Sequence, residues 1–194
     1  MAAEDRHDED LALVRDALAR REGAFACLYE KYRERVYRVA YHFVHNKADA
    51  LDLCQETFVR VFQSLKSFGG RARFSTWLMR IASNTAIDFC RHRKVRRAGE
   101  LDERLVTSDE RNPGAAAAPD PTRGLERAEL RGLIDNAVAE LSPEHRAVFV
   151  LHAVEGLTYQ EIADTVGVPI GTVMSRLHYA RKRLQALLAW LKKD

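Results

Sequence analysis

Thr158-Tyr159-Gln160-Glu161-Ile162-Ala163-Asp164-Thr165-Val166-Gly167-Val168-Pro169-Ile170 is the stretch that decides the fold. Threonine followed three residues later by glutamate is a capping box, in which the Thr158 hydroxyl accepts from the Glu161 amide and the Glu161 carboxylate accepts from the Thr158 amide. A helix therefore starts there. It needs Ile162 and Val166 facing inward, a small Ala163 where a second helix crosses, and Gly167 to carry a left-handed turn. Val168-Pro169 leads into that second helix from about Ile170, giving helix, short glycine turn, helix: the helix-turn-helix arrangement.

At ~100° per residue, Ile170, Val173, Leu177, Ala180 and Leu184 fall on one side of the second helix and form its buried stripe. The opposite side carries Gly171, Ser175, His178 and Lys182, flanked by Met174 and Tyr179. From Ile170 to Lys193 there are six basic residues and no acid, a surface suited to a phosphate backbone.

Upstream, Leu130, Leu133, Ile134, Ala137, Val138 and Leu141 make another helical stripe. Ser142-Pro143-Glu144 restarts a helix, with serine as N-cap, proline at the first helical position and an acid in the first turn. Before these, Ala98 to Leu125 holds three of the five prolines (Pro113, Pro119, Pro121) and the run Ala115 to Ala118. It reads as a linker. In the N-terminal block, Phe25, Leu28, Tyr29, Tyr32, Val36, Val39, Ala40 and Phe43 step by three or four, as do Ala50, Leu53, Cys54, Thr57, Phe58, Val61, Phe62 and Leu65. A third helix runs from about Phe74 to Arg91. Nothing alternates with period two. The expected fold is all-α: two small helical domains joined by a flexible linker, the second containing the helix-turn-helix. The expected boundaries are an acidic segment and the start of the first helix at 1–20, a first domain at 21–95, the linker at 96–125 and a second domain at 126–194.

The 194 residues carry 31 Lys+Arg against 28 Asp+Glu, a formal charge of +3. No apolar run approaches the ~18–20 residues of a membrane span. The start, with Glu4, Asp5, Asp8, Glu9 and Asp10, is too acidic for a secretory signal, so a cytoplasmic protein is expected. Cys27, Cys54 and Cys90 are odd in number and far apart, which supports neither disulfides nor a zinc cluster; they read as small core residues.

Between Arg71 and Arg97, Arg71, Arg73, Arg80, Arg91, Arg93, Lys94, Arg96 and Arg97 face the single acid Asp88. On the third helix, Phe74, Leu78, Ile81, Ala82, Thr85, Ala86 and Phe89 form the core side, whereas Arg73, Arg80, Asn84, Asp88 and Arg91 share another. Trp77 sits at the seam, where an indole either stacks on a base or packs inward. The loop Phe68-Gly69-Gly70-Arg71-Ala72-Arg73 adds glycines, a ring and cations that could hold a flipped base. Stacking is worth roughly 1–3 kcal/mol per base and extruding a base costs a few, so strand opening needs a larger machine.

Three segments, in this order, resemble the extracytoplasmic-function (ECF) group of bacterial sigma factors. They are Asp49-Ala50-Leu51-Asp52-Leu53-Cys54-Gln55-Glu56-Thr57-Phe58; Phe74-Ser75-Thr76-Trp77-Leu78 with Ile81-Ala82 and Asn84-Thr85-Ala86; and Glu155 to Ala163 with Gly171-Thr172-Val173. The resemblance implies that Asp49, Asp52, Gln55 and Glu56 dock on core RNA polymerase. It implies that Phe68 to Phe74, Arg71 and Arg73 included, and the helix bearing Trp77, Arg80, Asn84, Asp88 and Arg91 capture the non-template strand of the minus-ten element. It also implies that the second domain binds the minus-thirty-five duplex, with Arg176 and Arg181 near the backbone and Met174, Ser175, His178 and Tyr179 facing bases or the groove edge; Gly171, Thr172 and Lys182 are expected to complete the contact. An anti-sigma protein is the further partner implied. The sequence departs from the family at Met174 and Tyr179, where a basic residue is frequent, and at Leu51, usually polar.

Two other readings compete. A helix-turn-helix regulator acting without polymerase leaves the basic Trp77 helix unexplained. An enzyme acting on nucleic acid lacks support: His42 and His45 have no carboxylate at ligand spacing on their helix, and no Walker loop or H-E-x-x-H is present. No catalytic residue, metal or cofactor is expected.

Overall fold

The computed structural model describes residues 2–70, 72–100 and 121–192, with side chains over 8–70, 72–93 and 130–191. Arg71 and residues 101–120 of the expected linker lie outside the described residues. Among the described residues there are eight α-helices and no strand.

α1 (Ala2–Leu18) precedes α2 (Ala24–Val44), α3 (Lys47–Ser64) and α4 (Phe74–Glu100). α2 ends at His45, whose backbone is left-handed (φ 52°) and whose N–H donates to Tyr41 O at 2.7 Å. Asn46 at once caps α3, its Oδ1 accepting from the amides of Ala48 (2.8 Å) and Asp49 (3.1 Å). A stop and a start in adjacent residues force the two helices into an antiparallel pair. Leu28, Val36, Val39 and Phe43 of α2, Leu53, Phe58 and Val61 of α3, and Phe74 and Leu78 of α4 fill the space between them. α1 closes this module through Val14 and through Asp10, a buried carboxylate that accepts from Tyr32 Oη at 2.5 Å and faces Lys31 Nζ at 2.9 Å.

The second module comprises α5 (Pro121–Ala139), α6 (Pro143–Ala153), α7 (Tyr159–Val166) and α8 (Ile170–Leu187). Ser142 caps α6 as read, its hydroxyl accepting from the His145 amide at 3.4 Å. α8 packs on α5 through a small cluster of Ala137, Val138, Leu141, Ala180 and Leu184. The larger core does not stop at the module boundary: Val148, Val150, Leu151, Ile162, Val173 and Leu177 are continuous with the core of α2 to α4.

Polar contacts fasten the same boundary. The buried Arg146 guanidinium of α6 donates to the carbonyls of Ala139 and Leu141 at the end of α5 and to that of Phe43 at the end of α2. A cation thereby satisfies the open carbonyls of two helix C-termini, where the helix dipole also favours it.

Several expected stripes are narrower than periodicity suggested. Phe62, Leu130, Ile134 and Ile170 are exposed rather than buried, because each sits at the edge of its helix's apolar arc where the neighbouring helix no longer reaches. Cys27 is exposed and not a core residue, whereas Cys54 is buried. α4 continues to Glu100, past the expected end at Arg91.

Candidate nucleic-acid interface

The helix-turn-helix forms as its residues require. The Thr158 N–H donates to Glu161 Oε2 (2.9 Å) and the Glu161 N–H to Thr158 Oγ1 (3.3 Å), closing the capping box. The Thr158 amide and hydroxyl hold the Glu161 carboxyl below its usual range, and the charges of Arg73 and Arg35 add to the pull. Gly167 ends α7 at φ 70°, ψ 38°, a conformation in which a side chain is strained. Val173, Leu177, Ala180 and Leu184 turn inward on α8.

The outer face of α8 is therefore open along its length: Gly171, Met174, Ser175, His178, Tyr179, Arg181 and Lys182 are exposed, with Thr172 and Arg176 half-buried at its margins. Among the described residues no acid pairs with Arg176, Arg181 or Lys182. Tyr179 rests against His145, ring centroids 4.5 Å apart, which fixes the phenol at one edge. The Ser175 hydroxyl donates to Thr172 O at 3.0 Å, so it faces outward as an acceptor only.

The first module brings its residues together on α4 and the loop before it. Trp77 is half-buried, its ring 5.2 Å from Phe68 and 5.8 Å from Phe74, with Arg73, Arg80 and Asn84 exposed near it and Arg91 exposed about four turns further along α4. Phase placed Phe74 on the core side of α4 and it lies there, whereas the strand contact that the resemblance implied for Phe68 and Phe74 finds no open ring. Both are buried, Phe74 completely, so neither ring face is open to a base; they form the platform that holds Trp77 at the surface. The reason is packing: Phe68 and Phe74 meet edge-on at 5.6 Å, and Phe74 lies against Tyr32 in the core.

This face is also engaged with its neighbours. Arg91 Nη2 contacts Glu144 Oε1 at 2.6 Å, and Asp88 faces Arg60 at 3.6 Å. Arg80 lies against the helix-turn-helix, its Nη2 3.1 Å from where a Cβ on Gly167 would stand.

On α3, Asp52, Gln55 and Glu56 are exposed, Glu56 pairing with Arg60 at 2.8 Å, and Asp49 is half-buried beside Arg93 at 3.4 Å. Leu51, a departure from the family pattern, is joined by Val59 and Phe62 in an apolar patch on the same side (54%, 54% and 62% exposed); sequence reading puts Phe62 in the buried stripe and does not single out Val59. Their spacing, eight and three residues apart, was the available signal. Among the described residues no group of acids, histidines and cysteines is placed to hold a metal, and no helix is long and apolar enough to cross a membrane.

Known proteins share this arrangement. The family model for Sigma-70 region 2 matches residues 28–96, and that for Sigma-70 region 4 matches residues 131–184. The ECF RNA polymerase sigma factor SigW of Bacillus subtilis is 31% identical over 170 residues, 86% of this chain and 90% of that one. The chain belongs to the ECF sigma factors. A second ECF sigma factor, SigE of Mycolicibacterium smegmatis, is 40% identical over 163 residues, 84% of this chain and 60% of that longer protein. The solved structure of CnrH in complex with the cytosolic domain of CnrY matches with a TM-score of 0.65 and 26% identity, covering 93% of this chain and 97% of that one. ECF sigma factors are transcription initiation factors and not enzymes, and this one is read accordingly.

Proposed function

We propose that this ECF sigma factor works in the bacterial cytoplasm, joins core RNA polymerase and directs initiation by gripping a promoter at two separate places. Region 2, taken as 21–95, holds the non-template strand of the minus-ten element with Arg71, Arg73, Trp77, Arg80, Asn84, Asp88 and Arg91. Stacking on Trp77 and phosphate contacts from the arginines offset the cost of unpairing. Region 4, taken as 126–194, lays α8 in the major groove of the minus-thirty-five element. There Met174, Ser175, His178 and Tyr179 face base edges, while Thr172, Arg176, Arg181 and Lys182 face phosphates. Gly171, lacking a side chain, lets the start of α8 approach the duplex. The interval between them is spanned by the part of the expected linker, 96–125, that lies between α4 and α5, residues 101–120. The α3 face of Asp49, Asp52, Gln55 and Glu56 docks on polymerase, with Leu51, Val59 and Phe62 as its apolar part.

The observation that carries this reading is the open, acid-free face of α8 behind a capped, glycine-turned α7, in a chain that also presents an indole among arginines. The SigE and SigW relatives bear the RNA polymerase sigma factor name, which supports polymerase as the partner. The structurally similar CnrH is solved in complex with the cytosolic domain of CnrY, which supports a protein partner here, read as the anti-sigma protein expected from the sequence. Run-off transcription with core polymerase on a genomic fragment pool tests the reading. Promoter-specific, salt-sensitive transcripts are expected; their absence, with tight duplex binding by the chain alone, would replace it with a polymerase-independent regulator.

A further inference from the structure

At the boundary between the modules, carboxylates of the second lie on cations of the first. The Glu155 carboxylate, on the turn before α7, is 1% exposed and is held by Arg35 and Arg38 of α2, the latter at 3.4 Å. Glu144 at the start of α6 holds Arg91 of α4. Beside Arg35 lies a cleft of about 370 Å³, lined by Lys31 and Arg73 from the first module and by Leu157 and Glu161 from the second. Arg35 thus continues the surface of Arg73, at the root of the strand-facing loop. Arg35 and Arg38 are three apart on α2 and converge on one carboxylate, the geometry with which a pair of guanidinium groups would take one phosphate.

Gripping both promoter elements, as the preceding reading requires, is incompatible with this closed form. The two elements are centred about 25 base pairs apart, roughly 85 Å at ~3.4 Å per pair, whereas a compact module of about 70 residues has a radius of gyration near ~11 Å. Modules in contact cannot reach that far. The 20 residues between α4 and α5 reach about 70 Å at ~3.3–3.6 Å per residue, which together with the modules' own dimensions covers the distance. Opening withdraws Glu155 and Glu144 and leaves Arg35, Arg38 and Arg91 without their carboxylates. The boundary is also imperfectly satisfied: Ser83 Oγ, Arg146 Nε and both ring nitrogens of His45 are buried with no hydrogen-bond partner among the described residues. Each such group weakens the closed form.

We propose that Arg35 and Arg38 form a phosphate-binding site for the promoter strand, contiguous with Arg73, and that Glu155 and Glu144 occupy the strand's place while the chain is closed. Second module and nucleic acid then compete for the same cations, and the free chain masks its own strand-binding surface. The inference rests on the two-point promoter reading.

The test uses the full chain and short single-stranded DNA of random sequence, with small-angle X-ray scattering to measure closure. Glu144→Gln with Glu155→Gln expands the chain and tightens binding at low salt by about five- to tenfold. Adding Arg35→Ala and Arg38→Ala to that open background leaves the chain expanded and removes the gain. Circular dichroism checks folding, and Glu144→Gln alone, on the rim of the boundary, gives a smaller shift in the same direction should Glu155→Gln unfold. An expanded chain that binds no tighter, a pair of glutamine substitutions that leaves the chain closed, or an unaltered affinity after arginine removal each overturns the inference. Wild-type run-off transcription separates the two claims. Promoter-specific transcripts alongside any of those three results leave the function standing and sink only the competition.

Discussion

The helix proposed to face duplex and the helix proposed to face single strand are prepared to different degrees. α8 offers its outer side complete, with cations that no described acid engages. α4 offers an indole seated on two buried rings, with Arg80, Asp88 and Arg91 already in contact with neighbours. A duplex groove can be read by one rigid helix projecting from a small core, so the reading surface is finished once α7 and α8 pack. A flipped strand needs a cleft built from a loop and at least two helices, and such a surface can be covered by whatever packs beside it. Duplex recognition is thus built in, and strand capture is conditional on rearrangement.

The sharpest way to break this contrast is Trp77→Ala. Loss of stacking is expected to cut promoter-specific run-off transcription about 100-fold, the equivalent of ~2.7 kcal/mol, while the isolated minus-thirty-five duplex binds unchanged. Equal loss of both would mean that the two faces are not separate. Arg146→Ala comes next: two helix ends lose their shared donor, and chemical denaturation is expected to show about 2–3 kcal/mol less stability. An unaltered midpoint would show that the boundary needs no such staple.

Acid titration sharpens the same boundary. Burial first, then the charges of Arg146 and His42, push His45 from its ordinary value near 6.5 down to about 4. The carboxylate of Asp135 lies 3.8 Å from both His45 and His42, and burial outweighs its pull on His42, whose value is also lowered. Since the unfolded chain binds the proton more readily, stability is full above pH ~6.5. It is lost as pH falls toward ~4, by on the order of 2–3 kcal/mol for His45. His45→Asn keeps a residue tolerant of left-handed backbone and should flatten that acid slope; an unchanged slope assigns it to other groups. The smallest effect is on the duplex side, where Lys182→Ala should reduce the salt dependence of binding by about one counterion with little change in sequence preference. A lost preference would move Lys182 from phosphate to base.

Much of this is legible in the sequence. The capping box, the Gly167 turn and the Ser142 cap depend on a few adjacent residues, and each formed as read. Trp77 at the seam followed from helical phase alone. Helical phase put Phe74 on the core side, where it lies; the resemblance put Phe68 and Phe74 on the strand, and a sequence motif carries no record of the edge-on packing that buries both rings. Phe62 and Ile170 erred the other way: they belong to an apolar arc wider than the partner helix covers. The role of α1 was missed because acids drew attention away from Leu11, Val14 and Leu18, which recur at helical spacing. Asp10 gave no sign that Tyr32 and Lys31 would make its burial tolerable. The boundary contacts of Arg146, Glu155 and Asp135 join residues far apart in the chain, and no local pattern encodes them.

The chain has two tryptophans, one half-buried against phenylalanines in region 2 and the other, Trp190, exposed in the second module. Indole emission shifts with the wetness of its surroundings and is quenched by a stacked nucleobase. If the proposed strand contact is right, the molecule contains its own optical gauge: Trp77 darkens as a strand is captured while Trp190 supplies a steady reference, and promoter melting can be followed without attaching a dye.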